Sequence, residues 1–253
     1  MTQLVKKQMH GPAIAEILID RPQRHNAMTL PMYEDLLSLI EECWAQPAIR
    51  CLLLRGAGGK SFVSGTDISY FKDFTCGRQG LEYEAFVERV VDAVERVAVP
   101  TIAVIDGWTV GGGLALATAC DFRVSSDTSR FGAPIAKTLS NTLSARNLAR
   151  LAAAFGVPRV KKMLLLADFL SAADALSCGY LHQVCSPEAV QKAALDLAGR
   201  LIALSPVTQA AAKESLRRLV VEQSLEDDDL IEQVYGSRAF QDGVAAFVSR
   251  STG

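Results

Sequence analysis

Two glycine-bearing stretches stand out for what their backbone can do. SFVSGTDI spans residues 61–68 and WTVGGGLA spans residues 108–115. Each follows an apolar run and turns through glycine. N–H groups just past such turns have no ladder partner and point outward. In the second stretch the turn opens straight into LALATAC, so its free N–H groups lie at a helix N-terminus carrying roughly half a positive charge. Two converging N–H donors form an oxyanion hole, a fixed pair of donors for a carbonyl oxygen that gains charge in a transition state. A plainer role is also open: Gly111, Gly112 and Gly113 allow tight packing of a helix on a strand. Phosphate-binding loops fit poorly. GWTVGGG does not match GxGxxG, and GAGGKS has the wrong spacing for a P-loop.

Regular elements must hold these loops in place. AIAEILID (13–20), IRCLLLRG (49–56) and PTIAVIDG (100–107) read as buried strands, and FRVSSDTSRFG (122–132) as a strand and turn. MTLPMYEDLLSLIEECWAQ (28–46) is an amphipathic helix with Thr29 at its N-cap and Pro31 in its first turn. GLEYEAFVERVVDAVERVAV (80–99) is a long helix with a 3.6-residue apolar period. Past residue 135 nearly every segment reads as helix. Strands alternating with helices, then helices alone, predict an α/β core followed by a helical C-terminal region. The acidic run from Glu226 to Asp229 reads as a solvated helix start.

Composition excludes several classes. The 253 residues are 49% hydrophobic with a net charge of −2, which supplies a sizeable core and no general pull toward nucleic acid or anionic membrane. No run of about 18 apolar residues predicts a membrane span. The start, MTQLVKKQMHGP, lacks a signal-peptide apolar region, and the end, SRSTG, is no peroxisomal address. Six cysteines without CxxC spacing read as reduced thiols of a cytoplasmic protein, and three scattered histidines predict no metal site. G-x-S-x-G is absent, which argues against an unrelated serine hydrolase.

Taken in order, the motifs resemble those of the crotonase superfamily, the enoyl-CoA hydratase/isomerase family. The resemblance covers about residues 10 to 250. IDRPQRHNAMT (19–29) is similar to the family's opening L-x-R-P-x-x-x-N-A-L. LLLRGAGGKSFVSGTDI (52–68) is similar to its G-x-G-x-x-F-x-A-G-x-D-[IL] loop, and PTIAVIDGWTVGGGLALATACDFRVSS (100–126) to its glycine helix and C-D-x-R strand. LLLADFLSAADALSCGYLHQVC (164–185) and SPVTQAAAKESL (205–216) resemble later segments.

The resemblance implies a spiral of ββα turns with a helical trimerisation region, placed here as a core at 1–195 and a helical region at 196–253. It implies a homo-oligomer, a trimer or a hexamer. It also implies an acyl-CoA thioester as ligand, with coenzyme A entering as part of the substrate and no separate cofactor. The thioester carbonyl would sit between the N–H of Thr66 and that of Gly112, each donor worth about 3 kcal/mol in a transition state. Gly65 and Gly111 shape the two turns, and Arg24 matches a basic position and would face the coenzyme A phosphates or stand as a solvated turn arginine. Ser64 and Ile68 would flank adenine and pantetheine, and Trp108 would line the pocket wall or pack in the core. Asp67 would cap the following turn beside the ligand, and Asp121 would fix a buried turn or a subunit contact.

The chain departs from the hydratase pattern at two places. A hydratase uses two carboxylates, one to activate water and one to handle the proton at the α-carbon. The first glutamate position is Ala115 here and the second, in FGAPIA, is Ile135. The resemblance therefore implies an acyl-CoA enzyme that is a poor hydratase, with isomerisation, decarboxylation or thioester hydrolysis open to it. The competing reading is a non-catalytic acyl-CoA-binding protein. Ser140 and Asn141 could hydrogen-bond a water or the substrate; capping of the next helix is the favoured reading. Asp73, Glu82 and Glu84, with Tyr70 and Tyr83, follow the first loop and could lean over the thioester; a surface location is the favoured reading for each.

Overall fold

The computed structural model describes residues 3–251. Strands β1 (Val5–His10) and β2 (Ile14–Ile19) pair as an antiparallel hairpin, followed by helix α1 (Leu30–Trp44). Three successive turns then repeat one pattern, each with two strands and a helix. The first holds β3 (Cys51–Gly56), β4 (Ser61–Val63) and α2 (Gly77–Arg96). The second holds β5 (Thr101–Ile105), β6 (Trp108–Val110) and α3 (Gly112–Ala119). The third holds β7 (Phe122–Ser126), β8 (Arg130–Gly132) and α4 (Ala145–Phe155).

In each turn the first strand joins one sheet and the second strand joins another. The six-stranded sheet runs β1-β2-β3-β5-β7-β10 and the four-stranded sheet runs β4-β6-β8-β9. Pairing along β2-β3-β5-β7-β10 and β4-β6-β8 is parallel, so the chain climbs as a spiral of ββα turns. The rest of the chain is α5 (Val157–Leu165), β9 (Leu170–Ser171), α6 (Ala172–Ser177), β10 (Gln183–Cys185), α7 (Val190–Ile202), α8 (Pro206–Arg217), α9 (Asp228–Tyr235) and α10 (Arg238–Ser251).

Both faces of the larger sheet are covered, which is why its strands read as unbroken apolar runs. Leu52 and Leu54 of β3 pack with Leu36, Ile40, Val90 and Val94 of α1 and α2. Cys51 and Leu53 point the other way, onto Val190, Ala194 and Leu197 of α7. The small residues of α3 let it pass through the core: Gly113, Ala115, Ala117 and Ala119 are all buried.

Some local expectations change. β1, unread in the sequence, pairs with β2 through its polar run KKQ. Thr29 holds the N-cap position of α1 without a side-chain capping bond. The last helical stretch breaks at Gly236 and Ser237 into α9 and α10. The acidic run does start a helix, and Asp229 there binds Arg218 at 2.7 and 2.8 Å. Cys43, Cys51 and Cys120 are buried free thiols, but Cys76 is exposed. No described helix is long and apolar enough to cross a membrane.

Candidate active site

The parallel pairing of β4 with β6 brings the two glycine stretches side by side. The register slips between Ser61 and Val63, and the chain leaves β4 through Ser64 and Gly65. Gly65 has φ +104° and Gly111 has φ +54°, conformations that favour glycine. The turns touch: a Cβ built on Gly65 would lie 3.9 Å from the Gly112 nitrogen. Gly113 serves the packing role, since a Cβ there would lie 2.1 Å from the Val63 carbonyl oxygen.

Gly112 opens α3, so its N–H lies outside the helical ladder. The Thr66 N–H follows Gly65 in the same way. Neither N–H donates to an acceptor among the described residues, whereas the N–H groups of Ser64, Asp67 and Gly111 donate to the carbonyls of His25, Met28 and Gly132. The Met28 N–H donates to the Gly65 carbonyl at 2.8 Å and the Asp67 N–H to the Met28 carbonyl at 2.8 Å.

Side chains lock the first loop. Arg21 Nη1 donates to Asp67 Oδ2 at 2.7 Å and to the Ala27 carbonyl at 2.9 Å. Asp67 Oδ1 accepts from the Ser69 N–H at 3.1 Å and so caps the short 3-10 turn Ile68–Asp73. The Arg21 guanidinium, with Ser69, holds the Asp67 carboxyl at about 2. Asn26, fully buried, donates to the Ala57 and Ser61 carbonyls at 2.9 and 2.8 Å, tying the opening motif to β4. On the other side of the fold, Asp121 caps the entry to β5 through Thr101 and pairs with Lys213 of α8 at 2.7 Å.

Two cavities meet across the loops. The outer one, about 590 Å³, is lined by Arg24, Ser64, Asp67, Ile68 and Trp108. The inner one, about 150 Å³, is lined by Ser64, Gly65, Thr66, Ile68, Gly111 and Gly112 on one side. Arg24 is exposed, and Trp108 stacks edge-on against Phe169 at 4.9 Å. The two expected donors, Thr66 and Gly112, and the seven residues read as ligand contacts thus border these two spaces. A third cavity of about 570 Å³ lies at the far end of α3 and touches neither glycine loop.

Ala115 and Ile135 both face the inner cavity, so the two positions that lack carboxylates are at the site. Two expectations are corrected nearby. Ser144 caps α4, accepting from the Asn147 N–H at 3.2 Å; Asn141 instead lines the cavity and Ser140 sits in a left-handed turn at φ +54°. Glu84 is not a surface acid: it is half-buried in the inner cavity wall, while Asp73 and Glu82 are exposed as expected. Its carboxylate accepts the Ser144 N–H at 2.9 Å, and burial raises its pKa above the ordinary glutamate value. Tyr70 stacks beside Tyr83 at 5.8 Å, and burial pushes the Tyr83 hydroxyl up to about 12.

Residues 10–252 match the family described as enoyl-CoA hydratase/isomerase. The chain belongs to that family. It is 28% identical over 244 residues to a crotonyl-CoA hydratase of Syntrophomonas wolfei, covering 94% of this chain and 92% of the relative. It is 33% identical over 205 residues to a probable enoyl-CoA hydratase of Mycobacterium tuberculosis, covering 80% of this chain and 76% of the relative. A crystal structure described as an enoyl-CoA hydratase/carnithine racemase from Magnetospirillum magneticum superposes with a TM-score of 0.88 at 29% identity, covering 99% of this chain and 94% of the other. The architecture is therefore the crotonase fold, with the helical C-terminal region included.

For this family member, sequence reading passed over Arg21 and Tyr33, and misplaced Glu84. Glu84 had a legible signal: it lies three and seven residues before Val87 and Val91, on the apolar stripe of α2.

Proposed function

We propose that this protein is an acyl-CoA enzyme that stabilises a thioester enolate or a tetrahedral oxyanion with the N–H groups of Thr66 and Gly112. The observation that carries this reading is the pair of acceptor-free N–H groups where two cavities meet. An enolate needs fixed donors at the carbonyl oxygen, and donors built into the backbone cost no reorganisation during the reaction. Coenzyme A would enter as part of the substrate through the outer cavity, past Arg24, Ser64, Asp67, Ile68 and Trp108. The relatives' names support the thioester class. Apolar Ala115 and Ile135 neither accept nor donate protons, so hydration of an enoyl thioester is expected to be slow. A homotrimer or a hexamer fits the exposed Tyr235, Phe240 and Val244 on the last two helices, and light scattering after size exclusion tests it.

The deciding experiment incubates the protein with crotonyl, longer enoyl, malonyl-type and aryl thioesters of coenzyme A in D2O and follows their masses. Deuterium uptake or loss of CO2 without water addition supports the enolate reading. Gly112→Pro deletes one N–H; made in a Tyr33→Phe background, because a Cβ at Gly112 would come within 2.7 Å of the Tyr33 hydroxyl, it should then lower turnover about 100-fold relative to Tyr33→Phe alone. Turnover unchanged in that variant would sink the two-donor reading. Binding of thioesters with no turnover at all would favour a non-catalytic acyl-CoA-binding protein.

A further inference from the structure

We propose that Glu84 of α2 is the catalytic base of this site, removing a proton from the carbon next to the thioester carbonyl and returning it to the acyl chain. This rests on the thioester reading above and names the group that the two replaced positions leave missing.

Placement carries the inference. Of the residues lining the inner cavity, Glu84 alone bears a carboxylate, and no lining residue carries a positive charge. The cavity has the Thr66 and Gly112 loops on one wall and α2 on another. Tyr83, next to Glu84 in sequence, bonds Thr66 Oγ1 at 2.6 Å, so the helix bearing the acid is fastened to the loop bearing a donor. A carbonyl oxygen held by the two N–H groups would point its α-carbon into the space that Glu84 borders.

The carboxylate is also oriented. Oε2 accepts the Ser144 N–H at 2.9 Å, and this is the hydrogen bond Glu84 makes, leaving Oε1 to act. Ser144 Oγ in turn donates to Glu88 Oε2 at 2.8 Å. The charged group whose field reaches Glu84 is Glu88, four residues on, and Arg150 of α4 binds Glu88 at 2.6 Å and offsets its charge. Tyr83 and Tyr33 are the other titratable neighbours; both hydroxyls are pushed up by burial and stay protonated at neutral pH. Burial and Glu88 raise the Glu84 pKa, which makes its carboxylate a stronger base than a solvated glutamate.

One carboxylate moves one proton at a time. The Cα–H bond breaks, an O–H bond forms on Glu84, and the electron pair moves into an enolate whose charge rests on the thioester oxygen. The Glu84 carboxyl then swaps its proton with solvent, and a solvent-derived proton, or a deuteron in D2O, returns to the same carbon, giving exchange. With a 3-enoyl thioester it returns two carbons further on, and the double bond moves into conjugation. Syn-hydration needs a second group to activate water, and the cavity holds no second carboxylate. The substrate class is thus a thioester with an acidified α-proton, of which a 3-enoyl-CoA is the simplest.

The test uses but-3-enoyl-CoA in D2O, read by mass and by the absorbance of the conjugated product. Glu84→Gln keeps an acceptor for the Ser144 N–H but loses basicity. Expected is at least a 100-fold loss of exchange and isomerisation, with the Kd for the thioester changed less than about twofold. Exchange within about threefold of wild type in that variant overturns the proposal. Should the variant not fold, the wild-type pH profile decides. Its rate should rise along one limb centred above the ordinary glutamate value, and a rate flat between about pH 4 and 8 overturns the base. Wild-type binding without exchange also overturns Glu84 yet leaves thioester binding standing. Absence of binding overturns both.

Discussion

The Tyr33 hydroxyl lies 3.0 Å from Thr66 Oγ1. Thr66 Oγ1 also lies 2.6 Å from the Tyr83 hydroxyl, so one threonine joins α1 and α2 to the first glycine loop. Tyr33 is fully buried, and a Cβ on Gly112 would come within 2.7 Å of its hydroxyl. This hydroxyl chain therefore sets the spacing of both loops.

Removing an end of the chain and removing its middle should have unequal effects. Tyr33→Phe leaves Thr66 bonded to Tyr83 and should cost about 1 kcal/mol. Thr66→Val keeps the shape but strands the Tyr33 hydroxyl in the core, and should cost about 2 kcal/mol or more. Urea midpoints measure both. Gly112→Ala should be destabilising alone and less so with Tyr33→Phe, because the clashing oxygen is gone; equal costs in the two backgrounds would contradict the close contact.

Arg21 and Asp67 make the first loop acid-sensitive. The Asp67 carboxyl falls from 3.8 to about 2 in the fold. A lowered pKa contributes stability that is present above the unfolded value and lost as pH falls through the folded one. The pair is partly solvated, so its worth at neutral pH is about 1 kcal/mol. Asp67→Asn should lose that amount at pH 7 and nothing further between about pH 4 and 2. Glu214, held at about 2 by Arg217, titrates in the same window in both proteins, so the difference between variant and wild type isolates Asp67. A constant gap across the window would refute the assignment.

Ala115 and Ile135 allow a gain-of-function test. The double variant Ala115→Glu with Ile135→Glu puts two carboxylates on the inner cavity wall. Crotonyl-CoA hydration, followed by loss of conjugated absorbance, should rise about 100-fold over wild type. Each single variant should gain less, since the acids act as a pair. A double variant that binds the thioester and hydrates it no faster would show that these two acids are not what the wild-type protein lacks.

The loops were legible because their chemistry is local. A strand, a glycine and a free N–H follow one another in sequence, and parallel strands then bring β4 and β6 together. The walls were harder to read. Glu84 meets Ser144 across 60 residues, and only packing of α2 against α4 makes that acid part of the cavity. Ser140 and Asn141 have good capping chemistry, but Ser144 lies directly before the helical run and takes the cap. β1 was missed since it is a hairpin edge, with one face toward solvent and too little apolar sequence to mark it.

The last prediction concerns the charge cluster behind the site. Arg150, only 3% exposed, meets Glu88 at 2.6 Å, Glu95 at 2.8 Å and Asp92 at 3.5 Å. Three carboxylates of α2 thus share one buried cation of α4, and Arg217 of α8 approaches Asp92 at 4.0 Å. Taking one partner from a buried set leaves charges without compensation, so Arg150→Met should cost about 3–5 kcal/mol at neutral pH. The pH sign follows from Glu95, whose pKa burial already raises while Arg150 opposes the rise. Without the arginine the folded value climbs further. A raised carboxylate pKa gives stability below the unfolded value that is lost as pH rises through the folded one. The defect should therefore shrink as pH falls toward about 5, and adding Glu88→Gln and Glu95→Gln should recover most of it at pH 7. Denaturant midpoints across pH check both arms. A pH-independent defect that the added substitutions leave untouched would mean Arg150 holds α4 by its packed stem rather than by its charge.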